Sequence, residues 1–132
     1  MSDEKRILIV DDEPDAVEIT EAMLSEIEGI TTMSANDGAS GLAKAQESVP
    51  DLIILDVQMP GKSGFDVFPE LKKGDKTKDI PVIMLTGVGE KTGLGFSARH
   101  MEEYLGTEPE AYIEKPVDAE TLQKTVKKLL GL

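Results

Sequence analysis

Three carboxylates, one hydroxyl and one ammonium each stand directly behind a short run of mostly apolar residues. Asp11 and Asp12 follow Ile7-Leu8-Ile9-Val10, and Asp56 follows Leu52-Ile53-Ile54-Leu55. Thr86 follows Val82-Ile83-Met84-Leu85, and Lys115 follows Ala111-Tyr112-Ile113-Glu114. Carboxylates gathered in one place repel unless a cation joins them. Oxygen donors, few protein groups and room for water favour Mg²⁺ over a softer metal. Asp12, Asp56 and the Gln58 backbone carbonyl are the candidate direct ligands, with Asp11 beside them. Such a pocket suits transfer of a phosphoryl group onto a carboxylate, for which aspartyl-phosphate intermediates are the chemical precedent. Asp56 is the nucleophile of choice. The remaining work is to position groups and to neutralise charge on the equatorial oxygens, and the cation, the Lys115 ammonium and the Thr86 hydroxyl could share it. Gly87, lacking a side chain, leaves the approach open.

For these residues to meet, the runs before them must end at one edge. Four consecutive apolar residues bounded by polar or turn residues suit a strand buried on both faces, as in parallel sheets covered by helices. Strands are predicted at Lys5 to Val10, Ile30 to Ala35, Leu52 to Asp56, Ile80 to Leu85 with Pro81 at its entry, and Ala111 to Glu114. Helical stretches alternate with them. The first starts at Asp12 or Glu13 with Pro14 in its first turn, and carries Val17, Met23, Leu24 and Ile27 at helical spacing until Gly29. The second, Ala39 to Ser48, turns Leu42 and Ala45 inward. The third, from about Phe65 to Lys73, contains Pro69, which predicts a late start or a kink. A fourth is placed at Ser97 to Leu105, between a serine cap and Gly106. Asp118 caps the last, which bears Leu122, Val126, Leu129 and Leu130. The expected fold is α/β, a flavodoxin-like (βα)5 three-layer sandwich with a parallel five-stranded sheet. The order 2-1-3-4-5 makes strands one and three neighbours and brings Asp11, Asp12 and Asp56 together at the carboxyl ends, where open α/β sheets bind ligands.

The 132 residues fit a single domain, 1–132, large enough to bury a core without staples. The last predicted helix reaches Gly131-Leu132, so no fused output domain is expected. The absence of cysteine fits a reducing compartment, and the cytoplasm is expected. The longest apolar runs fall far short of the roughly 20 residues that cross a bilayer, and the N-terminus has no signal-peptide pattern, so no membrane insertion is expected. A formal charge of −12 argues against nucleic acid and anionic membranes as partners, since both require Lys and Arg to neutralise phosphates.

In combination the motifs resemble those of the receiver domain of bacterial two-component response regulators, of the stand-alone type, and the resemblance covers essentially the whole chain. Ile7-Leu8-Ile9-Val10-Asp11-Asp12-Glu13 looks like the family's acidic pair, and Asp56-Val57-Gln58-Met59-Pro60-Gly61 like its phosphoacceptor loop. Leu85-Thr86-Gly87 matches its switch threonine and Glu114-Lys115-Pro116 its lysine motif. The resemblance implies that Asp56 accepts phosphate from a sensor histidine kinase or a phosphotransfer protein, and that phosphorylation switches a surface read by a downstream protein. It implies that the chain catalyses only its own phosphorylation and slow dephosphorylation. It makes Tyr112 the aromatic coupled to Thr86, turning inward as the threonine moves toward phosphate. It also suggests a cis bond before Pro116. The chain departs from the family pattern in residues 87–110, a longer connection between the fourth and fifth strands.

Singly, each feature has a plainer reading. Asp11-Asp12 is a helix-start signal, Lys115 a surface cation, Thr86 a strand end, Tyr112 half-buried core and His100 a solvent-exposed side chain. Lys72, Lys73, Lys76 and Lys78 read as a solvated helix end and loop. Only joining the four strand ends makes chemistry of them. Two other functions compete. A phosphatase of the haloacid-dehalogenase type needs a second aspartate two positions after the nucleophile, where this chain has Gln58. A degenerate receiver acting only as a docking module would not need all five matched positions intact. A flavin site is disfavoured by Asp11 to Glu13, which would repel the cofactor phosphate, and Gly87 to Gly93 does not satisfy the nucleotide loop pattern.

Overall fold

The computed structural model describes residues 4–57, 59, 63–86, 110–115 and 117–132. Among these residues nine elements follow in order. They are β1 (Lys5–Val10), α1 (Pro14–Leu24), β2 (Ile30–Ala35), α2 (Gly38–Ser48), β3 (Leu52–Asp56), α3 (Gly64–Lys73), β4 (Val82–Thr86), β5 (Ala111–Glu114) and α4 (Ala119–Leu130). The strands form one sheet of order β2-β1-β3-β4-β5, every pair parallel. The expected flavodoxin-like sandwich is therefore the observed fold. The helix expected at Ser97 to Leu105 lies outside the described residues.

Alternation along the strands divides the core in two. Leu8, Val10, Ile53, Leu55, Val82 and Met84 pack with α2 and α3 on one face of the sheet. Ile7, Ile9, Leu52, Ile54, Ile83, Leu85 and Ile113 pack with α1 and α4 on the other. Every residue of β3 is buried, as a central strand covered on both faces requires. At roughly 25 cal/mol per Å² of apolar surface, this double burial is the main term holding the sheet together.

The helix starts follow local chemistry. Glu13 precedes Pro14, which takes the first helical position, where its missing N–H costs nothing. Asp37 accepts from the Ser40 N–H at 2.7 Å and the Ser40 hydroxyl at 2.9 Å, and Asp118 accepts from the Thr121 N–H at 2.9 Å and hydroxyl at 3.0 Å. At α3 the Asp66 carboxylate reaches back to the Ser63 N–H at 3.0 Å.

Several boundaries differ from expectation. α1 stops at Leu24, and Ser25 folds its hydroxyl onto the Ala22 carbonyl at 2.7 Å, so the chain leaves the helix before Gly29. α3 starts at Gly64 and runs through Pro69, so the late start is absent. Its amphipathic face, Val67, Phe68 and Leu71, is buried, and that packing outweighs the hydrogen bond that proline removes. β4 begins at Val82, after Pro81, which has no N–H to pair, and extends to Thr86, whose carbonyl accepts from the Lys115 N–H at 2.7 Å.

Candidate functional site

The site is built by strand parity. Ile9, Ile54 and Ile113 face the α1 and α4 side, so two residues further on Asp11, Asp56 and Lys115 leave their strands toward that same side. β1 and β3 pair directly, with Val10 opposite Leu55, so Asp11 and Asp56 are neighbours. Asp56 is opposite Leu85 on β4, and Thr86 is opposite Glu114 on β5, immediately before Lys115.

Carboxylate oxygens of Asp11, Asp12 and Asp56 all lie within 4.8 Å of one another. Asp11 and Asp56 are each 2% exposed, while Asp12 is half-buried. The Lys115 ammonium sits 3.0 Å from Asp56 Oδ1 and 3.7 Å from Asp11 Oδ2. Burial by itself draws the lysine pKa down, but the hydrogen bond with Asp56 and the charges of Asp56, Asp11 and Glu13 outweigh it and hold the group above its ordinary 10.5. Lys115 is thus a fixed cation at neutral pH. Three carboxylates against one ammonium leave about two negative charges in a largely buried space, which a divalent cation with oxygen preference would balance. The donor set fits Mg²⁺.

Backbone contacts hold the geometry. The Lys115 N–H donates to the Thr86 carbonyl at 2.7 Å and the Val57 N–H to the Leu85 carbonyl at 3.0 Å, continuing the ladder beyond the strands. Thr86 is half-buried and, by alternation with Met84, lies on the sheet face of Tyr112, whose ring packs into the α2 and α3 core. A cleft of about 230 Å³ opens beside Asp11 and Lys115 and runs along α1 past Ala16, Thr20 and the exposed Ile19.

Asp11, Asp12 and Asp56 cluster and Lys115 meets Asp56 and Asp11, while Thr86 and Tyr112 share the other face of β4 and β5. The Gln58 carbonyl, Gly87, His100 and Pro116 lie outside the described residues. The sequence reading gave no role to three residues. The Glu13 N–H donates to Asp11 Oδ1 at 3.0 Å and fixes that carboxylate. Gly64 lets α3 approach the nucleophile's strand, since a Cβ there would fall 2.6 Å from the Asp56 carbonyl oxygen and 2.9 Å from Val57 Cα. Its N–H donates to the Val57 carbonyl at 2.9 Å. Lys72 is not merely solvated but ion-paired with Glu110 at 3.8 Å. Glycine after the acceptor loop was a visible signal for the second; the other two depend on distant or backbone partners.

Comparison with known proteins assigns this arrangement. Residues 7–127 match the model of the response regulator receiver domain. The chain belongs to that family. It is 38% identical over 126 residues to the protein PilH of Pseudomonas aeruginosa, covering 96% of this chain and 98% of that protein. Against RpaA of Synechocystis, named as a DNA-binding dual master transcriptional regulator, identity is 35%, covering 95% of this chain but 48% of the relative. Among solved structures, a putative response regulator from Chloroflexus aurantiacus superposes with a TM-score of 0.81 at 27% identity, covering 98% and 99% of the two chains. The chemotaxis protein CheY4 of Vibrio cholerae gives 0.76 at 29%, covering 96% and 99%. This receiver domain is a signalling phosphoacceptor, and neither the phosphatase nor the docking-only reading is supported. No helix among the described residues is long and apolar enough to cross a membrane.

Proposed function

We propose that this receiver takes a phosphoryl group onto a carboxylate oxygen of Asp56 from a phosphohistidine of a sensor histidine kinase or phosphotransfer protein. The observation that carries the assignment is the Lys115 ammonium 3.0 Å from Asp56 inside a cluster of three carboxylates. Of the two buried acids beside the ammonium, Asp56 is the nearer, 3.0 Å against 3.7 Å for Asp11, so its oxygen is oriented for attack and the developing charge has a counter-ion already in place. Asp11, Asp12 and Asp56, with the Gln58 carbonyl, would hold Mg²⁺, which when bound supplies charge neutralisation at the transferring phosphoryl oxygens. Asp11 is held by the Glu13 N–H and faces Lys115, so it supports the cation side of the pocket. In the step itself the new bond joins the Asp56 oxygen to phosphorus, the bond to the donor's nitrogen breaks, and Lys115 accompanies the incoming oxygens without changing protonation. The Thr86 hydroxyl takes a phosphoryl oxygen as the group settles. Thr86 moves toward the phosphate, Tyr112 turns inward on the same face, and a protein partner reads the altered surface. Besides its own phosphorylation the chain catalyses slow loss of the phosphate. The cleft between Lys115 and Ile19 supports approach by a protein donor, the charge of −12 supports a role without nucleic acid, and a sequence without cysteine supports a cytoplasmic setting.

Incubation with phosphoramidate and Mg²⁺ is expected to add one phosphoryl group by intact mass in the wild type and none in Asp56→Asn. Labelling that persists in the variant would remove Asp56 from this role. For the switch, the Tyr112 ring resonances are expected to shift on phosphorylation in the wild type and to stay unchanged in Thr86→Ala while that variant still labels. Equal shifts in both proteins would separate Tyr112 from Thr86.

A further inference from the structure

The strand that delivers Lys115 is short and weakly patterned. Of its four residues only Ile113 is buried; Ala111 and Tyr112 are half-buried and Glu114 is exposed. A one-residue slip in strand pairing turns every side chain to the opposite face, and a weak hydrophobic pattern resists slippage poorly. A slip would also carry Lys115 about 3.3 Å along the strand, which would abolish its 3.0 Å contact with Asp56.

Glu110, at the entry to β5, supplies what the pattern lacks. Its N–H donates to the Val82 carbonyl at 3.1 Å. Its side-chain Oε1 accepts from the Val82 N–H at 2.7 Å. Val82 is fully buried, so this carboxylate satisfies a donor that β5 does not reach with its own backbone. Glu110 Oε2 lies 3.8 Å from the Lys72 ammonium. Lys72 is itself tied down, donating to the Lys78 carbonyl at 3.2 Å and the Ile80 carbonyl at 3.3 Å, with its ammonium 5.4 Å from the Phe68 ring centre. The first residue of the β5 ladder is therefore anchored to β4 and α3 together, and the Lys115 N–H closes the other end on Thr86.

We propose that Glu110, held by Lys72, is a positioning residue for phosphoryl acceptance: it locks the register of β5 on β4 and so sets the Lys115 ammonium at Asp56. This rests on the role given to Lys115 above. The test is a double-mutant cycle on the rate of phosphorylation by phosphoramidate with Mg²⁺, read by intact mass, with folding checked by circular dichroism. Glu110→Ala is expected to slow the wild type about tenfold to a hundredfold, the range that misplacement of a catalytic group costs. It is expected to slow Lys115→Ala no further. Glu110→Gln, which keeps an acceptor oxygen for Val82 but gives up the ion pair with Lys72, is expected to restore most of the rate. Equal slowing in both backgrounds, or no rescue by Gln, overturns the proposal, because a general loss of structure would act without Lys115. A slow Lys115→Ala beside an unaffected Glu110→Ala overturns it while leaving the role of Lys115 standing; a Lys115→Ala as fast as wild type overturns both. Should the alanine variant not fold, Glu110→Asp, one methylene short of Val82, runs the same cycle with the same expectations.

Discussion

Lys115 shows how one residue's neighbours decide its chemistry. Burial disfavours an ammonium, yet Asp56, Asp11 and Glu13 together raise its pKa above 10.5, so the folded state binds this proton more tightly than the unfolded chain does. A raised pKa contributes stability that is fully present below the unfolded value and is lost as pH rises through the folded value. The expected outcome is that urea-unfolding stability of the wild type falls from about pH 10.5 upward more steeply than that of Lys115→Met. Parallel curves for the two proteins would mean that the Lys115 to carboxylate contact does not persist in solution.

At the scale of elements, the site depends on how closely α3 can approach β3. Gly64, the first residue of that helix, sits against the Asp56 carbonyl and the Val57 backbone, neither of which can yield as a flexible side chain could. Gly64→Ala is expected to destabilise the domain by roughly 1–3 kcal/mol, the usual cost of overpacking. It should also slow labelling of Asp56 beyond what the stability loss explains, because the clash falls on the nucleophile's own backbone. Denaturant unfolding alongside the intact-mass rate checks both. An alanine variant with unchanged stability would show that the helix can withdraw freely from the strand.

The whole molecule carries a charge of −12, and three carboxylates, two of them buried, gather at one edge of the sheet. Diffuse surface repulsion is screened by any salt, whose Debye length is about 10 Å at 0.1 M. A ligand that binds only the folded site adds a mass-action term, about 2.7 kcal/mol when it is present at 100 times its dissociation constant. MgCl₂ is therefore expected to raise Tm beyond NaCl of equal ionic strength in the wild type, and to match NaCl in Asp12→Asn/Asp56→Asn. An equal excess in both proteins would place the effect on the surface.

Much of this protein was legible in the residues alone, because its dominant signals are local. Four-residue, mostly apolar runs ending on Asp, Asp, Thr and Lys marked the strands and the edge at which chemistry occurs, and Asp118 announced the last helix through a bond made three residues away. The strand order followed once five alternating units were accepted, and with it the meeting of Asp11, Asp12 and Asp56. What the tertiary structure alone decided concerns groups whose partners are far along the chain or are backbone atoms. Lys72 looked like one of several solvated lysines until α3 was set beside the start of β5, and Glu110 had no sequence signal at all because its partner is the N–H of Val82. How close Gly64 comes to the Asp56 carbonyl was settled only when the helix closed onto β3. Periodicity reports which face a side chain takes; only packing reports which distant backbone it must spare, satisfy or hold.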